Sequence, residues 1–331
     1  MEILEPIWAG LAAIAHRVDL WSAFSGLGGP ARAPSASWDE WRAAGLTEDQ
    51  TRAVLRAPGW GLPGIRAGGP GWPSALDGLP KGPVALCAEG NLAVLARPMV
   101  AIVGARACTA YGRVQARRIA EAVAAAGGVV VSGLAMGIDT AAHEAAKGAT
   151  VAVIGQGMRA GMPAWQARLR ERLLDAGGLV LSELPPELPG ASWTYPFRNR
   201  IIAGLAAATV VVEAGDRSGA LITARYALDY QRERLAVPGP VDSPASLGCL
   251  SLLGEGAGIV LGPANVLKAA GLLPAPVGRE AHVLGVLGFG ASEREIAERT
   301  GLAPSVVRAV LDALECGAGV IRLPGGRYRP P

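Results

Sequence analysis

The part of this chain with the most pointed chemistry is a stretch near its middle that combines aromatic residues with arginines. It reads Tyr195-Pro-Phe-Arg-Asn-Arg-Ile-Ile-Ala-Gly204, so that Arg198, Asn199 and Arg200 open a predicted helix directly after two aromatic residues. Guanidinium groups and helix amides hold phosphates, while a ring offers its face to a nucleobase. Two interpretations remain open: a nucleotide contact, or a buried aromatic pair with solvated arginines at its rim.

Four further segments combine glycine with polar residues, and each follows a short β-branched run. They are Gly104-Ala-Arg106, Ser132-Gly-Leu-Ala-Met-Gly-Ile-Asp139, Gly155-Gln-Gly157 and Glu213-Ala-Gly-Asp-Arg-Ser-Gly219. In an open α/β sheet, ligands bind at the carboxyl ends of the strands, where helix N-termini present amides to anions. The sequence therefore predicts that the functional site lies in these loops.

One acid and one imidazole, Asp139 and His143, are spaced one helical turn apart. This spacing suits acid–base chemistry, but it also suits a structural bracket at a helix N-terminus, which we favour. The sequence shows no set of nucleophile and base, and its four cysteines are far apart with no C-x-x-C pair. We therefore predict no catalytic residues, no metal site and no cofactor.

The segment Gly155-Gln-Gly-Met-Arg-Ala160 matches the G-x-G-x-x-A pattern of dinucleotide-binding proteins. That pattern normally opens the first strand–helix–strand unit, and its acidic partner lies about 20 residues further on. Here the pattern follows the third predicted strand, and Glu183 lies 26 residues beyond Gly157. We do not expect nicotinamide binding.

The composition limits the possible classes of protein. The chain has 331 residues and a net charge of +3, which excludes a histone-like polycation and a disordered acidic protein. Nucleic-acid binding through a local patch stays open, because net charge does not report how charges are arranged. The N-terminus begins acidic and shows no signal-peptide pattern, and no stretch predicts a membrane span, so we expect a cytoplasmic protein.

The elements that position these loops form an alternating pattern between residues 76 and 271. The predicted strands are short apolar runs separated by helical segments: Val100–Val103, Val129–Ser132, Thr150–Ile154, Leu179–Ser182, Thr209–Glu213 and Leu235–Val237. This alternation predicts an extended Rossmann-like domain, a doubly wound parallel sheet covered by helices on both faces.

Two smaller domains are predicted on either side of this sheet. Residues 1–75 carry six of the eight tryptophans and two helical stretches with capping signals at Ser37 and Thr47, which predicts a helical domain of the SAM or helix-hairpin-helix kind. Residues 272–278 are a Pro/Gly linker. Residues 279–331 read helix, turn, helix and hairpin, which predicts a winged helix; its seven arginines against six acids favour protein contacts as much as DNA.

Taken in order, these segments resemble the DNA-processing protein A (Smf) family. The matching stretches are Val100-Ala-Ile-Val-Gly-Ala-Arg106 with Tyr111-Gly112, Ser132 to His143, Tyr195 to Gly204, Glu213 to Ala224 and Ala236-Val-Pro-Gly239. The resemblance runs from about Gly71 to Leu267, and the helical front and the predicted winged helix also fit the family's domain order.

This resemblance implies a protein without known catalysis that binds and protects single-stranded DNA and loads the RecA recombinase during natural transformation. It also implies a homodimer, and single-strand-binding protein is a further expected partner. By position, Arg106 would hold a phosphate, Arg198 and Arg200 would line a basic pocket, and Tyr195 would face a base. The expected nucleic-acid contacts are Gly104, Arg106, Ser132, Gly133, Leu134, Ala135, Gly137, Tyr195, Arg198, Asn199, Arg200, Ser218 and Gly219.

The chain departs from the family pattern mainly in the loop after the third predicted strand. The departures are Arg159, Met162, Pro163, Gln166, Met136 and Leu250. We therefore expect that loop to make different contacts or none. Arg159 adds a charge there, so that a shifted set of residues could retain binding.

The sequence thus favours a sequence-tolerant mediator that binds single-stranded DNA. An enzymatic alternative is a nucleotide-processing hydrolase of the lysine-decarboxylase-like Rossmann family, whose P-G-G-x-G-T-x-x-E signature is missing here. A second alternative is a winged-helix regulator that senses a nucleotide. On the favoured interpretation, Arg106→Ala and Arg200→Ala are both expected to weaken the binding of oligo-dT and flatten its salt dependence.

Overall fold

The structure is a computed structural model, and it describes residues 2–272, 279–288, 290–316 and 319–330. Apart from Leu272, the predicted linker lies outside the described residues. Within the described ranges, no helix is long and apolar enough to cross a membrane.

The first 90 residues form four short helices and three strands. Their bounds are β1 Glu2–Ile3, α1 Pro6–Ile14, α2 Leu20–Leu27, α3 Trp38–Ala43, α4 Glu48–Leu55, β2 Pro63–Arg66 and β3 Ala85–Gly90. The predicted caps are present. The Ser37 and Thr47 hydroxyls each accept a hydrogen bond from the amide three residues on, and the side chain of that third residue accepts one from the Ser37 or Thr47 amide. Trp8 and Trp41 are fully buried in the core of these helices.

The central part alternates strands and helices, as the sequence predicts. Its elements are β4 Met99–Gly104, α5 Ala110–Ala125, β5 Val129–Ser132, α6 Ile138–Ala145, β6 Thr150–Val153, α7 Ala164–Asp175, β7 Leu179–Ser182, α8 Thr194–Leu205, β8 Ala208–Val212, α9 Gly219–Asp229, β9 Glu233–Ala236, α10 Leu247–Gly254, β10 Gly258–Ile259 and α11 Pro263–Ala269.

All these strands belong to one sheet of ten, in the order β1-β2-β3-β7-β6-β5-β4-β8-β9-β10. The strands from β7 to β10 pair in parallel, which confirms the doubly wound arrangement. Three antiparallel strands, β1 to β3, extend the sheet beyond β7. Strands from the predicted helical region therefore pair with the main sheet, and the division of the chain near residue 75 stays a prediction.

Both faces of the central strands are covered, which explains why these strands read as unbroken apolar runs. In β5, Val129 and Val131 pack into the core beneath α8 and α9, while Val130 packs on the opposite face beneath α5 and α6. Because β4 lies between β5 and β8, the chain order reverses there, and the ends of these strands are where such folds bind ligands.

In the C-terminal part, the described residues from 279 onwards form three helices and a small sheet of their own. Its elements are α12 Arg279–Val286, β11 Ala291–Ser292, α13 Glu293–Thr300, α14 Pro304–Cys316, β12 Ile321–Leu323 and β13 Arg327–Arg329. The strands are antiparallel in the order β11-β13-β12. A capping box at Ser292 begins α13, and Gly301 ends this helix in the left-handed conformation. Assigning this unit to the winged helices stays a prediction.

Candidate nucleic-acid cleft

A cleft of about 520 Å³ opens at the carboxyl end of β4, between the first turns of α8 and α9. Eight of the thirteen residues expected from the sequence line it: Gly104, Arg106, Ala135, Tyr195, Arg198, Asn199, Ser218 and Gly219. The structure therefore brings together loops that are more than a hundred residues apart in the chain, as the strand-end argument predicts.

Arg198 forms the inner wall of the cleft and is only 6% exposed. Its Nη1 donates to the carbonyl oxygens of Gly133, at 2.6 Å, and Val153, while its Nε donates to Oδ1 of Asn199 at 2.9 Å. Burial lowers the pKa of Arg198 to about 10, so it remains charged at neutral pH. Among the described residues, its Nη2 has no hydrogen-bond partner.

The glycine at position 133 makes room for this guanidinium. A Cβ on Gly133 would lie 2.1 Å from Nη2 of Arg198. Gly133 was expected to contact DNA. In the structure it instead leaves space for Arg198, and its carbonyl oxygen accepts a hydrogen bond from Arg198.

Tyr195 and Arg106 form the outer part of the cleft. The guanidinium carbon of Arg106, an exposed residue, lies 5.5 Å from the centre of the Tyr195 ring. Two glycines leave room for that ring, since a Cβ on Gly155 would lie 2.7 Å from it and a Cβ on Gly190 would lie 2.3 Å from its hydroxyl oxygen. A charge and an aromatic face thus lie side by side at the mouth of the cleft.

The loop between β5 and α6 is held from within by Asp139 and His143. Oδ2 of Asp139 accepts from the amides of Gly133, at 3.0 Å, and Ala135, at 3.3 Å. Nε2 of His143 accepts from the amide of Leu134 at 3.3 Å. The predicted bracket is therefore present, and these three amides, which we expected to bind phosphate, are already engaged.

The hydrogen bonds around His143 fix its protonation. The hydroxyl of Thr150 donates to the Val130 carbonyl at 3.0 Å, so its oxygen accepts from Nδ1–H of His143 at 2.7 Å. With Nε2 accepting, the ring is neutral. Burial lowers the pKa of His143 to about 3, with the Arg198 charge acting in the same direction. Burial raises the pKa of Asp139, which Arg198 and the loop amides oppose.

A further residue, Gln166, supports this loop, and this role was not predicted from the sequence. Gln166, one of the departures from the family pattern, is buried and donates through Nε2 to the Leu134 carbonyl at 3.1 Å. Leu134 is itself buried at a φ of +56°, in the left-handed region that side chains rarely adopt. Contacts from three elements thus hold a strained turn beneath the cleft.

The first turn of α9 supplies the other wall. The hydroxyl of Ser218 caps this helix by accepting from the Ala220 amide at 3.3 Å. Nδ2 of Asn199 donates to the Gly219 carbonyl at 3.1 Å and so ties α9 to α8. The Gly219 amide has no partner within the helix, because it belongs to the first turn, and it is placed to bind an anion.

Five of the expected contact residues do not line the cleft: Ser132, Gly133, Leu134, Gly137 and Arg200. Ser132 is buried and its hydroxyl donates to the Ile102 carbonyl at 2.6 Å. Gly137 has a φ of +81° and lies where a Cβ would be 2.3 Å from the Ala105 carbonyl oxygen. Ser132 and Gly137 thus shape the loops, and we do not expect any of the five to touch DNA.

Arg200 requires the largest correction. Its side chain is 1% exposed, and its Nη2 donates to Oε2 of Glu183 at 2.5 Å. The guanidinium also lies 3.9 Å from the centre of the Phe197 ring. Burial raises the pKa of Glu183, against the effect of Arg200. Because Arg200 is buried and paired, it cannot line the basic pocket.

The glycines of the dinucleotide-like segment serve packing. A Cβ on Gly157 would lie 2.0 Å from the Pro185 carbonyl oxygen, and Gly155 faces Tyr195. Arg159 points away from the cleft, towards Glu187 at 3.4 Å and the Gly61 carbonyl at 3.3 Å. The loop between β6 and α7 thus contributes to the cleft by leaving space for the Tyr195 ring.

Several lining residues were not predicted, although the helical period could have indicated some of them. Pro196 and Ile202 lie on α8, and Ile202 is separated from Tyr195, Arg198 and Asn199 by seven, four and three residues. This spacing places it on the same helix face. Ser192 and Thr223 also line the cleft. Thr223 lies four residues after Gly219 in α9, so the helical period could have indicated it as well, whereas no sequence pattern marked Ser192.

The parallel sheet, its crossover helices and a cleft at the switch point define a Rossmann-like, doubly wound α/β protein. Within this class, residues 65–271 match the family model described as DNA recombination-mediator protein A. This match covers more than half of the chain, so the chain belongs to the DNA recombination-mediator protein A family. The resemblance inferred from the motifs is confirmed.

Relatives in several bacteria are similar in sequence. The putative DNA processing protein DprA of Mycobacterium tuberculosis is 40% identical over 268 residues, covering 75% of this chain and 68% of the relative. Protein Smf of Escherichia coli is 43% identical over 189 residues, covering 56% of this chain and 50% of the relative. The chain thus spans about half the length of the Escherichia coli protein.

Two solved structures share the fold. The X-ray structure of DprA from Streptococcus pneumoniae matches with a TM-score of 0.69 and 29% identity, over 81% of this chain and 98% of that one. DprA from Helicobacter pylori, whose structure concerns its single-stranded DNA binding mode, matches with a TM-score of 0.57 and 26% identity, over 63% and 96%. These similarities confirm the predicted α/β fold class.

Proposed function

We propose that this protein binds single-stranded DNA, without strong sequence preference, in the cleft between α8 and α9. The observation that carries the proposal is the meeting, in one cleft, of two guanidinium groups, an accessible aromatic ring and a helix N-terminus. Guanidinium groups and a helix N-terminus bind phosphates, and an aromatic ring stacks on an unpaired base. Membership of the family and the DNA binding described for the Helicobacter pylori protein support the same function.

The geometry suggests a role for each group. Arg106 and Nη2 of Arg198 hold backbone phosphates, and the Gly219 amide binds a phosphate oxygen. The Tyr195 ring stacks on a base next to the phosphate held by Arg106, since the two groups are 5.5 Å apart. Each stacked base contributes roughly 1–3 kcal/mol, whichever base it is, which accounts for tolerance of sequence.

The support for the wider role is membership of the family, and the cleft itself does not bear on it. We propose a cytoplasmic, non-enzymatic homodimer that protects single strands, loads the RecA recombinase in transformation and meets single-strand-binding protein. Within the site, Asp139 and His143 serve the loop described above, so we assign them no catalytic role.

Anisotropy titration of labelled oligo-dT at several salt concentrations tests the proposal. We expect single strands to bind more tightly than duplex, and Arg106→Ala to weaken binding several-fold. The slope of log affinity against log salt is expected to fall by about 0.7, the value for one lost phosphate contact on a single strand.

Arg118→Ala is the matched control, because Arg118 is an exposed arginine on α5 outside the cleft. It removes the same charge without removing a contact, so its salt slope should match that of the unmodified chain. Equal slopes for Arg106→Ala and Arg118→Ala would reject the cleft as the binding site.

A further inference from the structure

An aromatic surface outside the cleft has no role in the proposal above. The indole of Trp193 is 47% exposed, although it directly precedes α8. The ring of His16, at the end of α1, lies 5.3 Å from it with an angle of 36° between the planes. Phe197 is half-buried, and its ring centre lies 6.2 Å from that of Trp193 and 6.0 Å from that of His16. We call this surface the Trp193–His16 platform.

The platform lies next to the cleft but on the other side of α8. Ser192, the residue before Trp193, lines the cleft. Trp193, Phe197 and Arg200 follow one another at helical spacing, on the face of α8 opposite Tyr195 and Arg198. A helix is about 10–12 Å across with its side chains, so a strand that passes around the start of α8 reaches the platform within a few nucleotides of the cleft.

The charges around the platform suit a phosphate backbone. Arg17 is exposed, and its Nε donates to Nε2 of His16 at 2.9 Å. This bond requires His16 Nε2 to be an acceptor, hence an uncharged ring, which stacks on a base without the desolvation cost of a cation. Burial and the neighbouring Arg17 charge lower the pKa of His16, which favours the same neutral form. Within the part of the chain that the structure describes, Nη1 and Nη2 of Arg17 have no hydrogen-bond partner and can donate to a phosphate.

We propose that the Trp193–His16 platform is a second nucleobase-stacking site, on which a single strand that leaves the cleft around the start of α8 places a base, with Arg17 on the adjoining phosphate. This inference rests on the proposed function and extends it from the sheet to the helical front of the chain. Its occupant is a base of the same strand that occupies the cleft.

The length of the bound oligonucleotide provides the first test. Oligo-dT from about 4 to about 16 nucleotides, the range of single-strand site sizes, is titrated against the unmodified chain, Trp193→Ala and Trp193→Phe. We expect Trp193→Ala to leave the shortest strands unaffected and to weaken the longer ones by about fivefold or more, the effect of one lost stack. Trp193→Phe should restore most of the loss, because it keeps an aromatic face.

Trp38→Ala is the matched control. Trp38 is a partly exposed tryptophan of α3, at 37%, and it lies in the same N-terminal helical region as His16 without contacting the platform. It should leave binding unchanged at every length. A loss equal to that of Trp193→Ala would overturn the proposal.

A strand with one abasic nucleotide, moved along a long oligo-dT, gives the second test. At one position, the missing base should weaken binding to the unmodified chain. At the same position it should cause no further loss in Trp193→Ala, because the base and the indole belong to the same contact. If no position behaves in this way, the platform does not hold a base and the aromatic surface serves another kind of partner.

The outcomes separate this inference from the function on which it rests. If the unmodified chain binds no single strand of any length, the proposed function is wrong and the platform with it. If Arg106→Ala weakens binding while Trp193→Ala changes nothing, the cleft stands and only the platform is rejected. Equal weakening of short and long strands by Trp193→Ala also overturns the platform, because the residue then acts within the cleft.

Discussion

The two faces of α8 use the same residue types in opposite ways. On the cleft face, Arg198 donates hydrogen bonds to carbonyl and amide oxygens, which carry no net charge, and its Nη2 has no partner among the described residues. On the opposite face, Arg200 is paired with the carboxylate of Glu183. Arg198 and Arg200 are two residues apart on one helix, yet a carboxylate neutralises the charge of Arg200, whereas the hydrogen-bond partners of Arg198 are uncharged. The partner of each arginine, and not its place in the motif, determines its role.

This comparison also concerns stability. Glu183 and Arg200 are 2% and 1% exposed, and among the described residues Oε1 of Glu183 and Nε and Nη1 of Arg200 have no hydrogen-bond partner. A buried ion pair loses its hydration and regains it only in part through mutual attraction. Such a pair contributes little net stability, but either member becomes costly when the other is removed.

The largest expected effect therefore comes from Arg200→Ala. Removing the guanidinium leaves the Glu183 carboxylate buried and unpaired, and we expect the free energy of unfolding to fall by about 3–5 kcal/mol. Urea unfolding measures this loss. Oligo-dT titration under conditions where the variant is folded should show an unchanged salt slope, in contrast to Arg106→Ala.

The double variant Arg200→Met with Glu183→Leu distinguishes a lost pair from a lost contact with DNA. It removes both charges, so its stability should return to near that of the unmodified chain. A reduced salt slope in this folded double variant would show that Arg200 does meet a phosphate, and the comparison between the two faces would fail.

The cleft face of α8 depends on the loop between β5 and α6. His143, which holds this loop, makes a pH-dependent contribution to the free energy of unfolding. His143 is neutral in the folded protein, with a pKa lowered from 6.5 to about 3. As pH falls below 6.5, the unfolded chain takes up a proton that the folded chain does not. Stability therefore falls as pH falls through this range, by about 2 kcal/mol between pH 6.5 and pH 5. Urea unfolding across this range measures the slope.

His143→Gln isolates this contribution, because glutamine keeps an acceptor for the Leu134 amide but does not titrate. Burial raises the pKa of Asp139, whose effect on stability has the opposite sign and is present in both chains. The difference between the two chains should therefore shrink as pH falls. A difference that stays constant with pH would mean that His143 is not held neutral in the fold.

Much of the fold was predictable because its signals are local. The six predicted strands match β4 to β9 to within two residues at each end, and the caps at Ser37 and Thr47 lie where expected. The antiparallel strands β1 to β3 were not predicted, because their partners are distant in sequence and two of the three are short. The meeting of the strand-end loops at one cleft was predictable for a different reason, because it follows from the topology of a parallel sheet.

The roles of single side chains were less predictable. Aromatic and basic residues occupy both faces of α8, so its periodicity does not indicate which face is turned to the cleft. The burial of Arg200 depends on Glu183, which the sequence analysis assessed only as the acid of a dinucleotide pattern. The loop amides look available in the sequence and are engaged in the structure, because Asp139 and His143 reach back to them.

The smallest expected effect concerns the room left for Tyr195. In Gly155→Ala the new Cβ would lie 2.7 Å from the Tyr195 ring and 3.3 Å from its Cα, so the ring must shift on the cleft face while the opposite face is unchanged. We expect oligo-dT binding to weaken by about two- to fivefold, a part of one stacking contact. Tyr195→Ala alone should cost more, and Gly155→Ala should add nothing to it, because the ring that it displaces is gone. If the two losses add, Gly155 acts on binding through something other than Tyr195, and the aromatic wall of the cleft is assigned to the wrong residue.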